Sequence, residues 1–202
     1  MNRTIFVLLL VIGVAAMIAC VSAAKMNMIS MPFTPANESI NAIMSGFGSE
    51  DDIIYLYNTT SATFKYARKR NTGLWTGTFT MMPPELGYMM KPVASNYNLT
   101  LVGEVPSGSI SVPVVATTGG VKMNILGWNS ALEECDINSA IPGGSENDMI
   151  YMYNTTSETF KYLRKRSTGL WTGTFSCLEP GAGYMFKPVA SSYTWTYDRY
   201  DR

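Results

Sequence analysis

The chain has 202 residues, with 15 Lys and Arg against 15 Asp and Glu and no histidine. So even a balance gives no general attraction to nucleic acid or to an anionic membrane. The missing imidazole removes Ser-His and Cys-His nucleophile activation together with the commonest transition-metal ligand. Charged residues are only 15% of the chain, below the roughly 25% of ordinary soluble domains, which suits a surface partly covered by neighbours or by glycan.

In chain order, residues 1–3 are a short basic start, 4–19 an apolar run, and Val21-Ser22-Ala23 offers small side chains where a signal peptidase reads. This predicts a signal peptide over 1–23 and an exported chain beginning near Ala24. Two alternatives stay open. A retained anchor is disfavoured because the run falls short of the ~20 apolar residues of a spanning helix. Met17-Ile18-Ala19-Cys20 is a degenerate lipobox that would lipidate Cys20. Removal of Arg3 with the leader leaves 14 basic residues against 15 acidic.

Residues 25–32 read as an opening strand that Pro32 ends. Ile40, Ile43 and Met44, at i, i+3 and i+4 after a Ser/Asn cluster, predict one short helix over 37–44. Residues 53–57 and 63–66 flank Asn58-Thr59-Thr60-Ser61 as a hairpin. Tyr55 and Tyr57 share one face, as do Phe64 and Tyr66, so cross-strand aromatic pairs are available. Residues 73–79, 87–92 and 97–103 read as further strands.

This order is then written again. Residues 51–97 and 147–193 align without a gap, and 33 of the 47 positions are identical, the signature of a duplicated structural unit. The second copy runs from Val121, with one residue gained or lost before its hairpin. Between the copies, Ser109-Ile110-Ser111-Val112-Pro113-Val114 is too β-branched for a floppy linker and is expected to pair with a module edge. The expected organisation is a signal peptide at 1–23, a β module at 24–106, an ordered linker strand at 107–120 and a second β module at 121–202. Each half has about 85 residues, enough for a modest core of its own. Short strands with closely spaced turns predict an all-β fold: two tandem small β-sandwich or partly open barrel modules, each with one short helix.

Loss of Cys20 with the leader leaves Cys135 and Cys177 as one candidate disulfide in an oxidising compartment. Both lie in the second copy, where the first has Glu38 and Met81. The bridge would close a loop of about 42 residues and reinforce a fold that the first copy reaches without it. Two unpaired buried thiols are the alternative.

Asn27-Met28-Ile29-Ser30-Met31-Pro32, a downstream Trp segment and Glu179-Pro180-Gly181-Ala182-Gly183-Tyr184 resemble the N-L-I-S-x-P and P-G-x-G-Y-W repeats of secreted prokaryotic, especially archaeal, surface proteins, with the surface-layer and sheath proteins of methanogens as the nearest context. Gly-Trp usually precedes the Asn in that family, whereas Lys25-Met26 and Lys122-Met123 stand here. The first copy has Glu85-Leu86 where the second has Gly181-Ala182. The resemblance implies a self-assembling extracellular lattice or sheath subunit.

Four sequons, at Asn37, Asn58, Asn98 and Asn154, are candidates for N-glycosylation. Asn-Thr-Thr is also good turn chemistry, and both readings stand together at the hairpins. Arg68-Lys69-Arg70 and Arg164-Lys165-Arg166, with acidic groups that include Asp52 and Asp148, are candidates for ion pairing between modules or subunits, or for contact with an anionic wall polymer. The alternative is a solvated strand end. Calcium is a minor reading of the acidic groups, which lack an ordered oxygen-ligand spacing. Trp75 and Trp171 are candidates for sugar stacking if exposed, and core aromatics if not.

No phosphate loop follows a strand. Of the carboxylates that could be paired for glycoside hydrolysis, Glu85 meets Gly181 in the second copy. Neither enzyme activity nor a cofactor or metal is therefore expected. The expected partner is the chain itself in a homo-oligomeric array, with cell-surface glycans second, and membrane contact limited to the uncleaved leader. The expected function is a structural subunit of an extracellular envelope layer; the alternative is a secreted carbohydrate-binding or adhesion module.

Overall fold

The computed structural model describes residues 14–21, 26–93, 97–104, 108–116, 123–130 and 132–198. The first copy comprises β1 (Val14–Val21), β2 (Asn27–Ile29), helix α1 (Ile40–Ile43), β3 (Ile53–Asn58), β4 (Thr63–Lys69), β5 (Trp75–Gly77), β6 (Tyr88–Lys91) and β7 (Tyr97–Glu104). The second comprises β8 (Ser109–Val114), β9 (Asn124–Gly127), helix α2 (Ile137–Ala140), β10 (Met149–Asn154), β11 (Thr159–Lys165), β12 (Trp171–Gly173), β13 (Gly183–Lys187) and β14 (Tyr193–Asp198). Each copy is an antiparallel five-stranded sheet, ordered β2-β6-β3-β4-β5 or β9-β13-β10-β11-β12, with a two-stranded ribbon, β1-β7 or β8-β14. The modules are open sandwiches rather than closed barrels. The expected all-β fold with one short helix per module is what forms. The strand between the copies becomes half of the second module's ribbon, while β1 falls inside residues 1–23.

Period-two alternation sets the faces. Ile54 stands opposite Ala67 and Met90 in one row of the first sheet, and all three are fully buried. Each such Ile or Met contributes about 1.5–3 kcal/mol by leaving water. One residue along, Tyr55 stands opposite Tyr66 and Met89 on the other face. Ile150 with Leu163 and Phe186, and Tyr151 with Tyr162 and Met185, repeat both rows. The hairpin turns close on Asn58 and Asn154, whose Oδ1 atoms accept from the amides two and three residues on, Thr60 and Ser61 or Thr156 and Ser157. A side chain that mimics a backbone turn in this way explains why Asn heads both loops.

The cores differ beneath the ribbon. Met31, Leu99 and Leu101 fill the first module, and Trp128, Trp195 and Tyr197 hold the same places in the second. Those rings lie 4.5–5.9 Å apart by centroid. Their polar atoms are satisfied: Trp195 Nε1 donates to Ala140 O at 2.7 Å, Trp128 Nε1 to Leu132 O at 2.7 Å and Tyr197 Oη to Gly127 O at 3.1 Å.

A pseudo-two-fold seam joins the modules. The β2 edge pairs at Ile29 with Ala182 of the second module, and the β9 edge pairs at Leu126 with Leu86 of the first. Ser30 N donates to Gly181 O at 2.8 Å, and Gly87 N to Ile125 O at 3.0 Å. Behind these bridges Met28, Tyr57, Met89 and Ile125 form a buried cluster, with Tyr55, Tyr153 and Met185 against it. Close approach demands glycine here. A Cβ on Gly87 would lie 2.8 Å from both Ile125 Cγ2 and Leu126 O, and one on Gly183 would lie 2.9 Å from Ile29 O.

Candidate functional site

The Arg-Lys-Arg runs divide between interior and surface. Lys69 and Lys165 are buried, as are Asp52 and Asp148, so these four residues are not the intermodule or polymer contacts expected of them. Alternation along β4 and β11 turns each Lys inward, where its Nζ lies 5.5 Å from the Trp75 ring or 5.1 Å from the Trp171 ring. Burial lowers the pKa of both lysines, and the nearby Asp52 or Asp148 charge opposes that shift. Each Asp holds a loop crossing. Asp52 accepts from Ser49 N at 2.8 Å and Val93 N at 2.7 Å, and Asp148 accepts from Ser145 N and Val189 N at the same distances.

Trp75 and Trp171 complete these two knots. They are 2% and 4% exposed, which removes them as a sugar-stacking platform. Their backbone N–H groups donate to Asn41 Oδ1 and Asn138 Oδ1, both at 2.7 Å. A Cβ on Gly48 or Gly144 would come within 2.8 or 2.9 Å of the indole, and both glycines hold positive φ, so only glycine passes there. Trp171 Nε1 donates to Ile141 O at 2.8 Å. Trp75 Nε1 is buried with no partner among the described residues, where the loop before Gly48 is one residue longer than the loop before Gly144. Sequence reasoning did not single out these Asn and Gly residues; their signal is recurrence in both copies beside a Trp strand.

The outer arginines stay at the surface. Arg68 bridges Asp51 at 2.6 Å, both roughly half exposed, and Arg164 donates to Asn147 Oδ1. Arg70 and Arg166 donate to Thr76 and Thr172, each at 2.8 Å. Local partners therefore take up two guanidinium nitrogens of Arg68 and of Arg164 and one each of Arg70 and Arg166.

Asn37 is exposed at the entry to α1, Asn58 and Asn154 head the hairpin turns, and Asn98 falls on β7 opposite Cys20. Asn154 also borders a half-open groove of about 340 Å³ between the modules, lined by Met28, Tyr153, Lys161, Glu179 and Gly181. Cys135 and Cys177 are joined in a disulfide across 42 residues. Glu133 lies beside that pair, and the bonded sulfurs are no longer thiolate ligands.

A repeated apolar surface stands out. The outer face of each five-stranded sheet is covered by the seam at β6 and β13 but stays open at β4 and β11, where Phe64, Tyr66, Phe160 and Tyr162 are 45%, 42%, 42% and 38% exposed. Phe64 packs edge-on against Tyr57 at 5.0 Å, and Phe160 against Tyr153 at 5.2 Å. Leu74 with Leu170 and Val93 with Val189 are exposed in the same matched way.

Comparison of the chain with protein-family models, with curated proteins and with solved structures gives no match.

Proposed function

We propose that the chain is a structural subunit of an extracellular envelope layer, of surface-layer or sheath type, that assembles with copies of itself. The carrying observation is the matched set of exposed apolar side chains, Phe64/Phe160, Tyr66/Tyr162, Leu74/Leu170 and Val93/Val189, displayed by two modules that a reciprocal seam holds together. Within each set Phe64 and Tyr66, or Phe160 and Tyr162, are alternate residues of one strand and share a sheet face; exposed apolar faces of this kind mark sites of association, and two copies of one face on a single block let each subunit join more than one neighbour. The leader features and the low charge content agree with work outside the cell. Sequons at both hairpin tips are positioned for glycan on such a layer.

Secreted carbohydrate binding or adhesion is the second reading. The observation that favours it is that half-exposed rings can stack on sugars as well as on protein. Its platform would be Phe64, Tyr66, Phe160 and Tyr162, since Trp75 and Trp171 are interior. The two readings separate in solution. Purified exported protein is expected to form concentration-dependent assemblies that Phe64→Ser with Phe160→Ser prevents. A chain that stays monomeric and binds a polysaccharide through those rings contradicts the envelope reading.

A further inference from the structure

Strands β7 and β14 are the same strand of the repeat, and each is covered along one edge, β7 by β1 and β14 by β8. The registers correspond: Val21 stands opposite Tyr97 as Val114 stands opposite Tyr193. The two covers differ in where they come from. β8 lies in the body of the chain, whereas β1 lies within residues 1–23, the segment with leader features. Cleavage after Ala23 leaves two residues ahead of Met26, too few for a strand, and β8 is already committed to β14.

The chemistry of the edge then left open is fixed by alternation. Glu104 and Thr34 exchange both backbone hydrogen bonds, at 2.9 and 3.0 Å, on the side of β7 away from β1. The N–H and C=O groups of Tyr97, Leu99, Leu101 and Gly103 therefore point toward β1. Leu99 and Leu101 are buried in the core, so β7 stays seated and presents those groups. A strand edge of that kind is a template for another strand.

We propose that in the exported protein this edge is closed by the same edge of a second copy, β7 against β7, about a two-fold axis through Thr100. This rests on the envelope reading and on removal of the leader, and it names one of the contacts by which the block joins its neighbours. An antiparallel pair keeps opposed residues on the same face. Centring on Thr100 sets Leu99 against Leu101 of the partner subunit and Tyr97 against Gly103 of the partner subunit. Every backbone group that β1 leaves is used, the buried leucines stay on the core side, and exposed Thr100 and Val102 stay outside. Centring on Leu101 leaves Tyr97 unpaired. Glu104, the one charged residue of β7, lies beyond the paired span, so no like charges meet. Isologous pairing of this type is the commonest symmetry of homo-oligomers.

The test uses protein exported and processed by its host, with its N-terminus read by mass spectrometry and its size by light scattering before any variant is made. Thr100 would face Thr100 of the partner subunit in a non-hydrogen-bonded pair, where Cα atoms lie about 4.5 Å apart, within the span that a disulfide bridges. At concentrations below those of further assembly, the expected results are a dimer of the cleaved chain, a covalent dimer from Thr100→Cys under oxidation, none from Val102→Cys, and a monomer from full chain made without export. A cleaved chain that is monomeric or unfolded, a retained leader, or equal cross-linking at 100 and 102 overturns the proposal. A lattice on cells without the Thr100 cross-link removes the β7 pair and leaves the envelope reading standing. A cross-linked dimer that never grows into arrays does the reverse.

Discussion

Lys69 lies over the indole of Trp75 with its Nζ 5.5 Å from the ring, inside a loop crossing held by the carboxylate of Asp52. The second module repeats the arrangement at Lys165, Trp171 and Asp148. Removing the carboxylate charge takes away the anion nearest the Lys69 ammonium and weakens the bonds from two backbone N–H donors, so Asp52→Asn is expected to cost about 1–3 kcal/mol. Asp52→Asn combined with Lys69→Met is expected to cost less than Asp52→Asn alone. Urea unfolding of the three variants measures the coupling, and simple additivity would place Lys69 outside the knot.

Two buried tyrosines and the two inward lysines shape the pH dependence. Burial, helped by Glu85 and Glu38, raises Tyr88, and burial raises Tyr184. Above pH ~10 the unfolded chain loses phenolic protons that the folded chain keeps, so this stability is full below that pH and falls above it, by roughly 1.4 kcal/mol per pH unit for each tyrosine. Lys69 and Lys165 act in the opposite sense. Their lowered folded values mean that stability rises as pH climbs through them toward about 10.4, the unfolded value. Thermal melts across the alkaline range are expected to show this rise before the tyrosine fall, and Lys69→Met with Lys165→Met should flatten the rise.

The disulfide at Cys135 and Cys177 reinforces one module only. Closing a loop of 42 residues is worth on the order of 4 kcal/mol in the chain-entropy model. Cys135→Ser with Cys177→Ser should therefore lower the unfolding free energy of the second module and leave the first nearly unchanged. Hydrogen exchange resolved by module checks this; equal loss of protection in both modules would show that they unfold as one unit.

Much of the architecture was legible because period two and turn chemistry are local. The hairpins around Asn58 and Asn154, the aromatic pairing of Tyr57 with Phe64 and the strands that carry Trp75 and Trp171 follow from residue spacing. Strand order was not, because β2 reaches β6 across most of a module and no local pattern encodes that pairing. The Arg-Lys-Arg runs looked like surface charge since three cations in a row mask the alternation that sends Lys69 and Lys165 inward. Trp exposure was equally hidden, depending on Gly48 and Gly144 letting a loop cover the ring.

The seam between modules should yield to added bulk. Gly87→Val and Gly183→Val place side chains against Ile125, Leu126 and Ile29, where even a Cβ is too close. Each is expected to cost about 1–3 kcal/mol and, together, to free the modules to move apart. Small-angle scattering would report a larger radius of gyration with each module still folded; an unchanged radius would mean that the seam does not set their relation.

Electron tomography of the native cell surface, with the chain located by a specific label, bears most directly on its role as an envelope building block. The expected result is label distributed over a continuous ordered layer that loses its order when Phe64→Ser and Phe160→Ser are introduced. Label absent from the surface, or a surface whose order is unchanged when the chain is deleted, would contradict it.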